Sequence, residues 1–245
     1  MKTLVTPLLL TSRRSNTDYW LLAAGGPVLL GVALVGWLLS WLSASTAAFC
    51  FLLLATLVAR YSRSRGLRVA DLVTLARGLG VCFLAGFALQ ALTGGLAKNG
   101  VLAMIIMGSL CLTLDGVDGR VARARREATP FGARFDVETD AAMLVVLSVA
   151  VAALGIAGWW VVAIGTMRYG YVATSLVVPA LRTPLPYRYS AKVVAVAQAV
   201  ALLAALVSGL AHGQHWVSTA LLLAALASLG WSFGRDVIWQ LRHSL

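Results

Sequence analysis

Polar and apolar positions in this chain do not alternate with the period of a strand, nor do they form the narrow stripe of a surface helix; they come in long blocks. Tyr19 to Ala59 is a run of 41 residues without one charge. A helix needs about 20 residues to cross a bilayer, so this run predicts two spans, broken near Ser43-Ala44-Ser45. Further apolar blocks at 69–93, 99–119, 137–155, 158–181, 190–211 and 216–234 bring the expectation to eight transmembrane helices. The polar linker from Ala59 to Arg68 divides residues 1–66, a juxtamembrane segment and a two-helix hairpin, from a six-helix remainder at 67–245. The predicted fold is an all-α integral membrane protein.

Composition agrees with the blocks: 60% of residues are hydrophobic, 12% are charged, and the mean hydropathy is +0.87, which excludes a soluble domain with a polar surface. The formal charge of +11 is unevenly placed. Arginine and lysine gather in the N-terminal tail, after the second span, between Arg120 and Arg134, between Arg182 and Lys192, and at the C-terminus. With eight spans these segments share one side, so both termini and the basic face are expected in the cytoplasm, with the protein in the cytoplasmic membrane. The charge is then a face against anionic lipid, and no nucleic-acid partner is expected. The opening MKTLVTPLLLTSRRSN resembles a signal peptide only superficially, because Arg13 and Arg14 stand where a small-residue cleavage site should be. Cys50, Cys82 and Cys111 lie in separate spans and read as small core residues. His212 and His215 read as solvated loop residues, and the tryptophans near span ends as interfacial anchors.

The exception to the apolar blocks is LDGVDGRVARARREATPFGARFDVETD, Leu114 to Asp140. Asp115, Asp118, Gly119, Ala122 and Arg123 follow at i, i+3, i+4, i+7 and i+8, which places them within about 140° of one helical face. Beyond Pro130, Gly132, Asp136 and Asp140 repeat at i, i+4 and i+8, while Glu138 points elsewhere. Two helices meeting along these faces would set four carboxylates around one space, with small residues leaving room against the backbone. Unpaired carboxylates near hydrocarbon cost several kcal/mol each, so the arrangement requires cations. Neighbouring arginines could supply them as an interfacial belt, but a belt gives no reason for Gly119, Ala122 and Gly132 on the acidic faces. Hard divalent ions, Mg²⁺ or Mn²⁺, prefer carboxylate oxygen, and a pair of them would suit phosphoryl-group chemistry. A calcium loop needs acids at alternate positions, and these are three or four apart.

The same residues, Asp115-x-x-Asp118-Gly119-x-x-Ala122-Arg123, eight further residues, then Gly132-x-x-x-Asp136-x-x-x-Asp140, resemble the signature of the CDP-alcohol phosphatidyltransferases at every fixed position. The resemblance covers about residues 67 to 245. It implies a six-helix catalytic domain, commonly dimeric, that transfers a substituted phosphate from a CDP-linked donor to an alcohol and releases CMP. It further implies that Asp115, Asp118 and Asp136 hold the metals and that Asp140 stands close by as general base. By the same resemblance Gly119, Ala122 and Gly132 admit the cytidine, and Arg123 meets a donor phosphate. DLVTLAR, Asp71 to Arg77, is similar to the family's first-helix pattern Asn-x-x-Thr-x-x-Arg, which adds Thr74 and Arg77 to the donor site and leaves Asp71 as either a headgroup contact or a helix cap.

For the acceptor the expectation rests on cations. Arg168 is the one charge between Asp140 and Arg182, hence at bilayer depth, with no acid on its own helix to pair with. With Arg182, Arg188 and Lys192 it predicts an acceptor carrying a phosphate, glycerol 3-phosphate ahead of inositol phosphate, the alternative being that Arg168 snorkels to the interface and the loop cations only set orientation. Phosphatidylglycerophosphate synthases are similar here, with an arginine followed by glutamate where this chain has Arg168 and Tyr169. AKVVAVAQ, Ala191 to Gln198, keeps only Lys192 and Gln198 of a Gly-Lys-x-x-Thr-x-x-Gln pattern. The donor is expected to be CDP-diacylglycerol. The competing class, a transporter using the acidic cluster, fits less well because the acids gather at one helix end rather than at the midplane.

Overall fold

The computed structural model describes residues 40–65, 69–125, 130–183, 189–211 and 215–243. Among them there are seven α-helices and no strand: α1 Trp41–Arg65, α2 Val69–Leu92, α3 Lys98–Arg125, α4 Pro130–Ala153, α5 Val162–Val177, α6 Tyr189–Leu210 and α7 His215–His243. Two short 3-10 turns, Trp159–Val161 and Pro179–Arg182, flank α5. The first expected span, from Tyr19 to about Ser43, lies mostly outside the described residues.

The break between the first two spans falls earlier than expected. Ser43-Ala44-Ser45 belong to the first turn of α1, and Ser40 caps it: its hydroxyl lies 2.9 Å from the Ser43 hydroxyl and accepts the Ser43 N–H at 3.4 Å. Likewise Ala59 to Arg65 of the expected linker continue α1 as helix. The expected span 158–181 is also broken up. Val178, extended at φ −104° and ψ 101°, precedes Pro179, whose ring disfavours a helical residue before it, so α5 stops at Val177. On its other side α4 ends in a Schellman turn, with Gly155 at φ +69°, its N–H on Ala152 O at 3.0 Å and the Ile156 N–H on Val151 O at 3.2 Å.

Five of the described helices, α1, α2, α3, α6 and α7, are long and apolar enough to cross a bilayer. The acids Asp136, Glu138 and Asp140 occupy the start of α4, and α5 has 16 residues. Both are packed against other helices through one shared core, in which Leu147, Ala150 and Val151 of α4, Met104 of α3, and Leu202 and Leu206 of α6 are fully buried. Outward, Phe49, Leu52 and Leu57 of α1, Leu102, Ile106 and Leu110 of α3, and Val193 and Val200 of α6 are exposed. Such a belt is tolerable against lipid tails and would aggregate in water.

Hydrocarbon offers no hydrophobic drive to bring helices together, so close backbone approach must do more of the work. A Cβ at Gly165 of α5 would lie 2.4 Å from Val145 Cα and 2.6 Å from Val145 N on α4. One at Gly80 of α2 would lie 2.5 Å from the Cys111 sulfur on α3, and one at Gly78 2.6 Å from a Leu54 methyl on α1. These three contacts fix α2 between α1 and α3, and α5 on α4.

Candidate active site

Three helices deliver the charged groups to one point. Arg77 projects from α2 with its side chain 1% exposed; Asp115 stands on α3 at 14%, and Asp136 and Asp140 on α4 at 35% and 38%. One terminal nitrogen of Arg77 contacts Asp136 and lies 3.3 Å from Asp115 Oδ1, and the other contacts Asp140. One oxygen from each carboxylate lies within 4.8 Å of the others. The guanidinium is therefore the floor of the site and the two α4 carboxylates form its open side.

Local sequence explains the register. Cys111 sits one turn before Asp115, packs on Gly80, which is one turn after Arg77, and donates its thiol hydrogen toward the Arg77 carbonyl at 3.8 Å. A larger residue at either place would part α2 from α3 where Asp115 must meet Arg77. On α4, Asp136 and Asp140 are one turn apart, as their spacing predicts. Thr139 between them is buried and returns its hydroxyl to Phe135 O at 2.8 Å, leaving the helix without an unsatisfied group there.

Of the residues expected at the site, the structure brings together Asp115, Asp136, Asp140 and Arg77. α3 is continuous through Asp118, Gly119, Ala122 and Arg123, and α2 through Asp71 and Thr74, but their side chains lie outside the described set, as does that of Arg182. Arg188 lies outside the described residues altogether. Gly132 is in the first turns of α4, and Lys192 is exposed near the start of α6.

Arg168 has a partner within the protein. The sequence offers it no partner on its own helix, which made an acceptor phosphate the expected one; α4 supplies another, Glu138, whose carboxylate accepts from the guanidinium at 2.5 Å. Glu138 is two residues from Asp136 and two from Asp140, so it stands about 160° round the helix from both. The structure thus places Arg168 on the far side of α4 from the carboxylate cluster, and pairs it there.

A further group escaped sequence reasoning. Gln240 of α7 is buried, receives the Tyr171 hydroxyl at 2.6 Å, and donates to Leu181 O at 3.1 Å and Thr183 O at 2.7 Å. It ties α5, α7 and the Pro179–Arg182 turn together. The signal available was weak: one glutamine in the last turns of a helix.

Carboxylate oxygens from separate helices, converging at an opening, are what a hard divalent cation binds, so the donor set fits such an ion. A family model described as CDP-alcohol phosphatidyltransferase matches residues 67–231, about two-thirds of the chain. The chain belongs to the CDP-alcohol phosphatidyltransferase family. Comparison with curated proteins and with solved structures finds no match. Membership assigns this CDP-alcohol phosphatidyltransferase to the membrane transferases of phospholipid synthesis, and the matched residues include Asp115, Asp136 and Asp140. The match begins beside α2 and leaves α1, the helix that packs on Gly78, outside the matched residues.

Proposed function

We propose that this chain transfers a phosphatidyl group from CDP-diacylglycerol to a small phosphorylated alcohol at the cytoplasmic face of the membrane, releasing CMP. The observation that carries it is the convergence of Asp115, Asp136 and Asp140 within 4.8 Å. Asp115, Asp118 and Asp136, with Asp140 beside them, would hold one or two Mg²⁺ or Mn²⁺ ions. When bound, such ions neutralise the donor diphosphate and the departing CMP.

The chain's own residues supply the rest. Asp140, half-buried at the open side of the cluster, would accept the proton of the acceptor hydroxyl. The acceptor oxygen then forms its bond to the phosphatidyl phosphorus as the bond from that phosphorus to the CMP oxygen breaks, and the electron pair leaves with CMP. Gly119, Ala122 and Gly132 would let cytidine lie against the helices, with Thr74 and Arg123 on the donor.

For the acceptor, Lys192, Arg182 and Arg188 supply positive charge around the α5–α6 connection, and Gln240 holds the turn that carries Arg182. Arg168 joins them only by exchanging Glu138 for an acceptor phosphate. Glycerol 3-phosphate is our first acceptor and inositol phosphate the second, with serine and choline behind. The cationic segments support a cytoplasmic site and cytoplasmic termini, and family resemblance supports a homodimer. Purified protein with CDP-diacylglycerol, Mg²⁺ and a panel of these acceptors tests the proposal by CMP release and lipid product. Turnover only with a phosphate-free alcohol would refute the acceptor, and no CMP release with any of them would refute the reaction.

A further inference from the structure

Among the described residues the most buried charged side chain at the site is a cation, and it occupies the place where the acids converge. Arg77 is 1% exposed, reaches Asp115 and Asp136 through one terminal nitrogen and Asp140 through the other, and is the one charge between Asp71 and Lys98. A guanidinium offers five N–H donors on a rigid planar fork, so a single residue can hold several carboxylates at once. A divalent ion binding the same oxygens meets a competitor already in place. Both cannot sit at the centre: positive charges a few ångströms apart repel, and each carboxylate oxygen turned to the metal is turned from the fork.

We propose that Arg77 is the resident counter-ion of the acid cluster: it holds the three carboxylates together before metal binds, and releases them to the metal in exchange. Metal affinity is thereby set against an internal ion pair, and the site stays assembled without metal. Released from the acids, the guanidinium remains beside the metal site, where the phosphates of a donor would give it new partners. The proposal rests on the metal-centred reading above and adds to it the state from which metal binds.

The test is Mn²⁺ binding to the full-length protein in detergent, without donor, measured by the loss of free-Mn²⁺ EPR signal, alongside thermal unfolding with and without Mn²⁺. Arg77→Gln removes the competitor and should tighten Mn²⁺ at least about tenfold, which corresponds to about 1.4 kcal/mol, while lowering the metal-free midpoint and enlarging its rise on adding metal. Arg77→Lys decides between exchange and a general field effect. Lysine keeps the charge but is a point donor on a flexible stem, so it cannot hold three carboxylates as the fork does. Exchange predicts Mn²⁺ about threefold tighter in Arg77→Lys; a field effect predicts no change. If Arg77→Gln yields no folded protein, Arg77→Lys carries the result alone. Unchanged or weaker Mn²⁺ binding in Arg77→Lys, with Mn²⁺ bound by the wild type and lost in Asp115→Asn, overturns the exchange and leaves the metal site standing. A wild type that binds no Mn²⁺ overturns both.

Discussion

Gly165 offers the sharpest test of how α5 is held on α4. Gly165→Ala adds a methyl whose carbon would lie 2.4 Å from Val145 Cα, 2.6 Å from Val145 N and 2.8 Å from Leu144 C. All three are backbone atoms, so no side chain can swing aside, and ordinary contact is restored only if the helices separate by about 1 Å at that point. A gap of that size forfeits about a quarter to a half of each dispersion contact it opens, at about 0.1–0.2 kcal/mol per atom pair. With a dozen or so pairs around the crossing, the loss plus residual strain comes to about 1–3 kcal/mol, the usual cost of overpacking. The damage should also have a direction. Arg168 lies one turn beyond Gly165, and Glu138 two turns before Val145, so the separated crossing lengthens their ion pair as well. Reversible unfolding in mixed micelles, followed by circular dichroism, gives the first quantity. Stability within about 0.5 kcal/mol of wild type would refute the backbone contact and the account of α5 built on it.

Three further outcomes follow from the site. Asp115→Asn and Asp136→Asn should each lower metal-dependent CMP release by at least about a hundredfold with normal membrane insertion, because an amide is a poor ligand for a hard cation; wild-type rates at saturating Mg²⁺ would count against the cluster as a metal site. Asp140→Asn should lose turnover by a similar factor yet retain CDP-lipid binding, measured in the same preparation, and parallel loss of both would make Asp140 a ligand before a base. Gly80→Ala should reduce turnover by displacing Cys111 and with it Asp115, and Cys111→Ala added to it should restore most of the loss; if the double variant is no better than the single, Gly80 does not set this register.

What the sequence made legible was whatever a helix repeats. Asp136 and Asp140 were readable as neighbours because one turn separates them, and Asp115 joined them because Asp118, Gly119 and Ala122 follow it on one helical face. Five of the eight expected spans were equally plain from charge-free blocks. Contacts between helices were not, because a glycine facing Val145 looks in one dimension like any other glycine. Arg168 and Arg77 show this most clearly. Each is a single charge inside an apolar block, the first expected to meet an acceptor phosphate and the second the donor, and nothing along the chain said that Glu138 would meet the first and the carboxylate cluster the second. Span ends shifted where local chemistry intervened, at the Ser40 cap and at Pro179.

The two faces of α4 have a consequence for how this protein can change. Asp136 and Asp140 look toward Arg77, while Glu138 looks the other way toward Arg168, all within five residues of one rigid rod. A carboxylate at a radius of about 5 Å moves about 0.9 Å when its helix turns by about 10°. Anything that rolls α4 to improve the fit on the Arg168 side therefore swings the reactive acids in the opposite sense on the Arg77 side. The two ion-pair systems share one axle, so substitutions that retune the Glu138–Arg168 side have to be tried in pairs with changes that bring the other side back into line.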